Sequence, residues 1–233
     1  MHELRFPGES GDYRRARDDL LRDELELRRR IESVAAKRRR LPLGGPVPGD
    51  YVFEEWDPAV GTDRGVRLSE LFGDKDTLFV YSFMFKPGEQ GLPLEVPCPL
   101  CTSIIDGMDG SIPHIEQHVA FAVVTKAPVE RLHAHAHARG WRHARLLSSA
   151  GNVFNTDYRA EGPDGSQFAM ATVFVRREGV IHHFWSSELW LTFVPPEPGQ
   201  DPRHVDFMWP LWSVLDRTPA GRGEGWRPTL DYG

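Results

Sequence analysis

Cys98 and Cys101 are the only cysteines among 233 residues, and two positions separate them. They follow an apolar run, Leu78-Phe79-Val80-Tyr81-Ser82-Phe83, and precede a segment that reads as a helix. A buried strand would then aim the chain at solvent, and a helix N-terminus would receive the first thiol. Amide donors and the dipole at such a terminus favour thiolate over thiol. The expected chemistry is dithiol–disulfide exchange, with Cys98 as nucleophile and Cys101 as resolving thiol. Charge close in sequence gives little help, because Glu95 opposes ionisation and Lys86 is twelve positions upstream.

Other chemistries use the same residues. Thiolates at Cys98 and Cys101 would bind zinc or copper if imidazoles completed the shell, and His114 and His118, four apart, are the nearest histidines downstream. Two buried, inert thiols are the plain alternative. His133, His135 and His137 read as exposed helix surface, with His133 and His137 sharing a face. His182 and His183 point to opposite faces of a strand, so only one can look inward, toward a proton-shuttle position or into packing. Trp185, Trp190, Trp209 and Trp212 read as core, or as an aromatic pocket for a small organic redox substrate if some are exposed near the thiols.

Composition narrows the setting. With 40% hydrophobic and 27% charged residues the chain can bury a core of its own, as one domain of roughly 180 residues with extensions. No apolar run approaches a membrane span and no signal-peptide core is visible, so no membrane role and a cytoplasmic location are expected. There a close cysteine pair serves reactivity rather than scaffolding. A net charge of -6 argues against a nucleic-acid partner.

Three regions follow: residues 1–46, a charged helix and linker; 47–217, the main domain; and 218–233, an extended tail. From Asp12 to Arg40 there is no proline or glycine, and Leu20, Leu27, Ile31 and Val34 form one narrow apolar seam. That seam needs a partner, either its own domain or a second copy in a homodimer. Tyr51 to Glu54, Thr77 to Phe83, Val119 to Val124 and Leu146-Leu147 read as strands. Gly61 to Gly65 reads as a turn, Phe85 to Pro97 as a loop, and Ser148 to Tyr158 as irregular. Thr102 to Gln117 reads as a helix broken in two by Gly107, Gly110 and Pro113. Pro128 opens a helix that Gly140 stops. Thr172 to Trp185 is a hairpin, and Val205 to Leu215 a final helix. Strand, helix, strand, helix and hairpin make an α/β fold, a thioredoxin-like mixed β-sheet with helices on both faces, preceded by the long N-terminal helix.

The chain also resembles the thioredoxin-like family catalogued as domain of unknown function 899, relatives of peroxiredoxins and thioredoxins labelled dithiol-disulfide oxidoreductases. The landmarks run in order: Arg40-Leu41-Pro42, Asp50-Tyr51-Val52-Phe53, Leu68 to Phe72, Tyr81 to Phe85 with Pro87-Gly88, and Cys98-Pro99-Leu100-Cys101. Then come Pro113-His114-Ile115, Lys126-Ala127-Pro128, Gly140-Trp141, Ser148 to Asn155 and Leu215 to Arg222. The resemblance implies a thioredoxin-like core and places Cys98 and Cys101 on the redox motif, but it supplies no substrate; dithiol–disulfide exchange by itself calls for no cofactor, a thiol or disulfide substrate and a separate reducing thiol system. Three departures stand out, one being that Trp185 to Trp190 and Phe207 to Trp212 are richer in tryptophan than the family pattern, which points to an altered pocket. Met170-Ala171-Thr172 lacks the proline with which thioredoxins hold peptide substrates, and no threonine shortly precedes Cys98 as in peroxiredoxins.

Overall fold

The computed structural model describes residues 5–57, 62–86, 94–189 and 194–232. The chain divides into two compact units, Met1–Pro42 and Leu43–Gly233.

The first unit is one helix, α1 (Gly11–Arg39). Ser10 caps it by accepting from the Tyr13 amide at 3.1 Å, and Lys37, Arg38 and Arg39 lie in the last turn, where the helix dipole favours cations. The expected seam is real. Leu20, Leu27, Ile31 and Val34 are all exposed.

The second unit is built on a seven-stranded sheet: β1 (Val52–Asp57), β2 (Thr62–Arg67), β3 (Thr77–Phe83), β6 (Ala120–Thr125), β7 (Leu146–Ser148), β8 (Met170–Arg177) and β9 (Val180–Ser186). The numbers skipped belong to a separate ribbon of β4 (Phe85–Lys86) and β5 (Val96–Pro97). Strand order in the sheet is β2-β1-β7-β6-β3-β8-β9. β3 runs parallel to β6 and antiparallel to β8, and β9 runs antiparallel to β8. Those four adjacent strands, with only β8 reversed, make a thioredoxin-like sheet.

Along β3 the side chains alternate between two cores, as the pleat requires. Tyr81 and Phe83 join a cluster with Phe121, Val123 and both cysteines, covered by α3 (Pro99–Met108), α5 (Val129–Arg139) and α7 (Pro210–Leu215). Leu78 and Val80 join a second cluster with Phe53, Phe154 and Phe174, covered by the single turns α2 (Leu68–Leu71) and α6 (Phe154–Asp157). Helices therefore sit on both faces. No helix among the described residues is long and apolar enough to cross a membrane.

Several expectations shift in detail. Of the turn read at Gly61 to Gly65, Gly61 lies outside the described residues and the rest is strand β2, pairing along its length with β1. Gly65 looked like a turn residue, yet it lies opposite Glu54, and a Cβ there would come within 3.1 Å of Val52 Cγ1. The final helix is divided, because Pro210 has no amide to continue it: Asp206–Met208 is a 3-10 turn and α7 starts at the proline. The helix after the cysteines breaks as expected, into α3, a 3-10 turn at Asp109–Ser111 and α4 (Ile112–Ile115). The stretch from Ser148 is less irregular than it reads, since it buries Phe154 and Asn155 in α6.

Within the second unit both flanks are tied down. Gly44 and Val47 donate to the carbonyls of His183 and Ile181 at 2.9 Å each. Beyond α7, Arg222 pairs with Asp206 and Asp216, Trp226 meets Trp212 edge-on at 6.0 Å, and the Leu230 carbonyl accepts from Arg139 at 2.8 Å.

Candidate functional site

β3 ends at Phe83, and the chain returns to the same place after the β4–β5 ribbon. Lys86 pairs with Val96 in that ribbon, and the Cys98 amide donates to the Met84 carbonyl at 3.1 Å. Cys98 thus occupies the N-cap of α3, with Pro99 at the first helical position, where a missing amide is harmless. The Thr102 amide and hydroxyl both donate to the Cys98 carbonyl at 2.9 Å. Cys101, one turn on, lies beneath Cys98. The two cysteines approach to 3.9 Å and carry free thiols.

Neither thiol is on an open loop, contrary to the exposure their sequence neighbours imply. Cys98 is 1% exposed and Cys101 0%. The reason is the ribbon on one side and the large residues of α3 and α7 on the other. Yet the thiols do not point into separate apolar pockets, as two inert cysteines would; they share one.

Within that pocket the two sulfurs divide one proton. The Cys98 thiol is lowered to about 6, chiefly by a hydrogen bond from Cys101. Burial opposes this, while the Cys101 and Leu100 amides and the Lys86 charge assist it. The sulfur makes no short cap bond, but those two amides face it at the positive end of α3. Lys86, distant in sequence, is folded back by the ribbon into electrostatic range. Cys101 is pushed well up, first by burial and then by the bond and charge of Cys98. The pair therefore titrates as a unit, losing its first proton below neutrality and its second far above.

Under the thiols lies Tyr81, fully buried on β3. Among the described residues its hydroxyl has no hydrogen-bond partner of good geometry, and the polar atom within its reach is the Cys101 sulfur. Burial pushes the phenol well up, so it stays protonated.

His135 is the residue that sequence reading missed. It is half-buried rather than surface, its ring 5.4 Å from Trp141, 6.0 Å from Phe83 and 6.4 Å from Phe85. Its Nε2 lies 2.9 Å from the Thr102 hydroxyl, whose own hydrogen goes to the Cys98 carbonyl. The imidazole therefore donates from Nε2 and is neutral, its pKa lowered first by burial and then by Arg139. The signal was available: Leu132 and Ala136 mark the buried face of α5, and position 135 lies on its edge. His137 is exposed as expected, while His133 lies half-buried against Trp56 at 5.5 Å.

The remaining candidates sit elsewhere. His114 and His118 are exposed beyond the far end of α3, roughly 15 Å along that helix from the thiols. They share no helix, since α4 ends at Ile115. Among the described residues no three potential ligands cluster, so the four-residue Cys and His site is not assembled. His182 lies opposite Val175, at the end of the sheet remote from the cysteines, and bonds the Gly44 carbonyl at 3.1 Å. His183 lies on the other face, stacked on Tyr158 at 5.9 Å. Neither serves as a proton shuttle to the thiols.

Trp209 and Trp212 are packed into the core. Both are 5% exposed and meet at 5.0 Å against α3, where Trp209 Nε1 donates to Ser103 Oγ at 3.0 Å. Gly107 permits this approach, because a Cβ there would stand 3.3 Å from Pro210 Cδ. Trp185 packs on Phe207 at 5.8 Å, and Trp190 lies outside the described residues, as do Pro87 and Gly88. A cavity of about 380 Å³ lies at the ribbon, lined by Met84, Phe85, Lys86, Leu94 and the 164–167 turn, without tryptophan among its described residues.

Residues 5–232 match a family described as bacterial protein of unknown function, DUF899. The chain belongs to that family. In this DUF899 protein the family landmark Ser148 to Asn155 proves structural: the Lys126 ammonium bonds the Ser149 and Asn152 carbonyls, and Ser149 Oγ donates to Asn155 Oδ1 at 2.8 Å. No curated protein matches the chain.

Among solved structures, the DUF899 chain is similar to a reduced 2-Cys peroxiredoxin of Plasmodium vivax, at 16% identity and TM-score 0.44 over 60% of this chain and 81% of that one. It is also similar to the peroxidoxin BcpB of Mycobacterium tuberculosis, at 20% identity and TM-score 0.42 over 72% and 94%. The Plasmodium yoelii thioredoxin peroxidase I gives 15% and 0.42 over 81% and 100%.

Proposed function

We propose that this protein is a dithiol–disulfide oxidoreductase. The observation that carries the reading is the pair itself: Cys98 at the N-terminus of α3 with its thiol lowered to about 6, and Cys101 buried against it holding the remaining proton. At neutral pH the Cys98 thiolate attacks one sulfur of a substrate disulfide. That bond breaks, the first substrate thiolate leaves and takes a proton from water, and a mixed disulfide remains on Cys98. Cys101 then gives up its proton and attacks the Cys98 sulfur, releasing the second substrate thiol and closing a Cys98–Cys101 disulfide. Two electrons pass from the dithiol to the substrate. A second thiol system restores the dithiol, and no cofactor enters. A compartment that keeps thiols reduced, the cytoplasm, fits this cycle.

The test is turnover. The wild type should reduce insulin or a small aromatic disulfide in the presence of excess reductant, Cys98→Ser should abolish this, and Cys101→Ser should stall as a mixed disulfide on Cys98. Absence of disulfide turnover in the wild type, with both thiols alkylating slowly and equally at neutral pH, would retire the exchange reading.

A further inference from the structure

Resting on that exchange cycle, we propose that Tyr81 is a further catalytic residue of its second half: the phenol O–H donates to the Cys101 sulfur as that thiol ionises to attack the mixed disulfide. In the reduced protein the Cys101 thiol has an acceptor, the Cys98 sulfur. Once Cys98 is tied up in a mixed disulfide, its sulfur no longer carries charge and that interaction is lost. Cys101 must nevertheless become anionic at a site with no solvent contact, where an unsolvated charge is costly.

The surroundings supply few donors. Around the thiols the core consists of Phe83, Phe85, Ile104, Ile105 and Ala171, which offer none from their side chains. The donors that reach Cys101 are the Met84 amide and the Tyr81 hydroxyl. Tyr81 is 0% exposed, and its hydroxyl has no other partner among the described residues. A buried, unpaired hydroxyl weakens the resting fold. It is accounted for if its partner is a charge that exists only during turnover.

Tyr81→Phe removes that one atom, and dithiobis(nitrobenzoate) separates the two steps. Cys98 attack releases one thionitrobenzoate; Cys101 attack on the Cys98–aryl disulfide releases the second and closes the protein disulfide. In stopped flow, Tyr81→Phe should leave the first release unchanged and slow the second roughly three- to tenfold, because the lost stabilisation of the thiolate is partly offset by its greater nucleophilicity. The pH midpoint of the second phase should move up, and the urea midpoint of the reduced protein should stay level or rise. A second release at the wild-type rate overturns the proposal, and so does equal slowing of both phases with lowered stability, which marks a packing effect. Wild type that releases only the first equivalent removes Cys101 resolution and Tyr81 with it, and wild type that releases neither removes the exchange cycle itself.

Discussion

Replacing Cys101 with alanine takes from the Cys98 thiolate the hydrogen bond that does most to hold it ionised. A hydrogen bond to a charged group contributes about 1.5–3 kcal/mol, equivalent to roughly one to two pKa units. Starting from about 6, Cys98 in Cys101→Ala should titrate at roughly 7 to 8. At neutral pH the ionised fraction then falls from roughly nine-tenths to between about half and one-tenth. Cys101→Ser keeps a hydroxyl donor in place and should fall between alanine and wild type. Ultraviolet absorbance of the thiolate, followed through a pH titration, reads the midpoint without needing any reagent to reach the buried sulfur. A midpoint that stays at about 6 in Cys101→Ala refutes the reasoning, because the helix amides and Lys86 would then suffice alone. A wild-type midpoint near the ordinary thiol value of about 8.5 refutes it as well.

Three further outcomes are expected. The folded protein holds the Cys98 proton less tightly than the unfolded chain, so its stabilisation is full above the unfolded thiol value of about 8.5 and is lost as pH falls through about 6. Urea unfolding of the reduced protein should therefore show stability rising across that window, by at most about 4 kcal/mol, and Cys98→Ser should flatten the rise. Trp209→Ala empties a core site between α3 and α7 and should cost about 3–5 kcal/mol, against about 1–3 kcal/mol for Trp209→Phe, which forfeits the bond to Ser103 and part of the indole's packing; equal losses would put the weight on that bond rather than on packing. A homodimer through the α1 seam predicts that Leu27→Lys combined with Ile31→Lys shifts sedimentation from dimer to monomer, and a monomeric wild type at micromolar concentration sinks that expectation.

What the sequence disclosed follows from how strong each local signal is. Thr77–Phe83 and Ala120–Thr125 are β-rich runs buried on both faces, so their patterns admit one reading. Val129–Arg139 is bracketed by Pro128 and a left-handed Gly140, which fixes both ends. The cysteine pair was legible by type and spacing alone. Its burial was not, because burial comes from Trp209 and Trp212 more than a hundred positions away and from a two-residue ribbon with Pro97 in it. Strand β2 was hidden by Gly65, whose conformational freedom reads locally as a turn and is overridden by pairing with β1. Tyr81 looked like one more β-forming aromatic in a core strand. Its hydroxyl became conspicuous only when its surroundings were found to hold no oxygen or nitrogen for it.

The sequence reads 218–233 as an extended tail, yet its described residues brace the rod that carries both sulfurs. Trp226 leans on Trp212, Arg222 fastens the stretch to Asp206 and Asp216, and Leu230 reaches back to Arg139, which also grips Asp106 on α3. A protease that clipped this span would loosen that brace from the back, and the acidity of a sulfur at the opposite tip would drift without a single reactive atom having been touched.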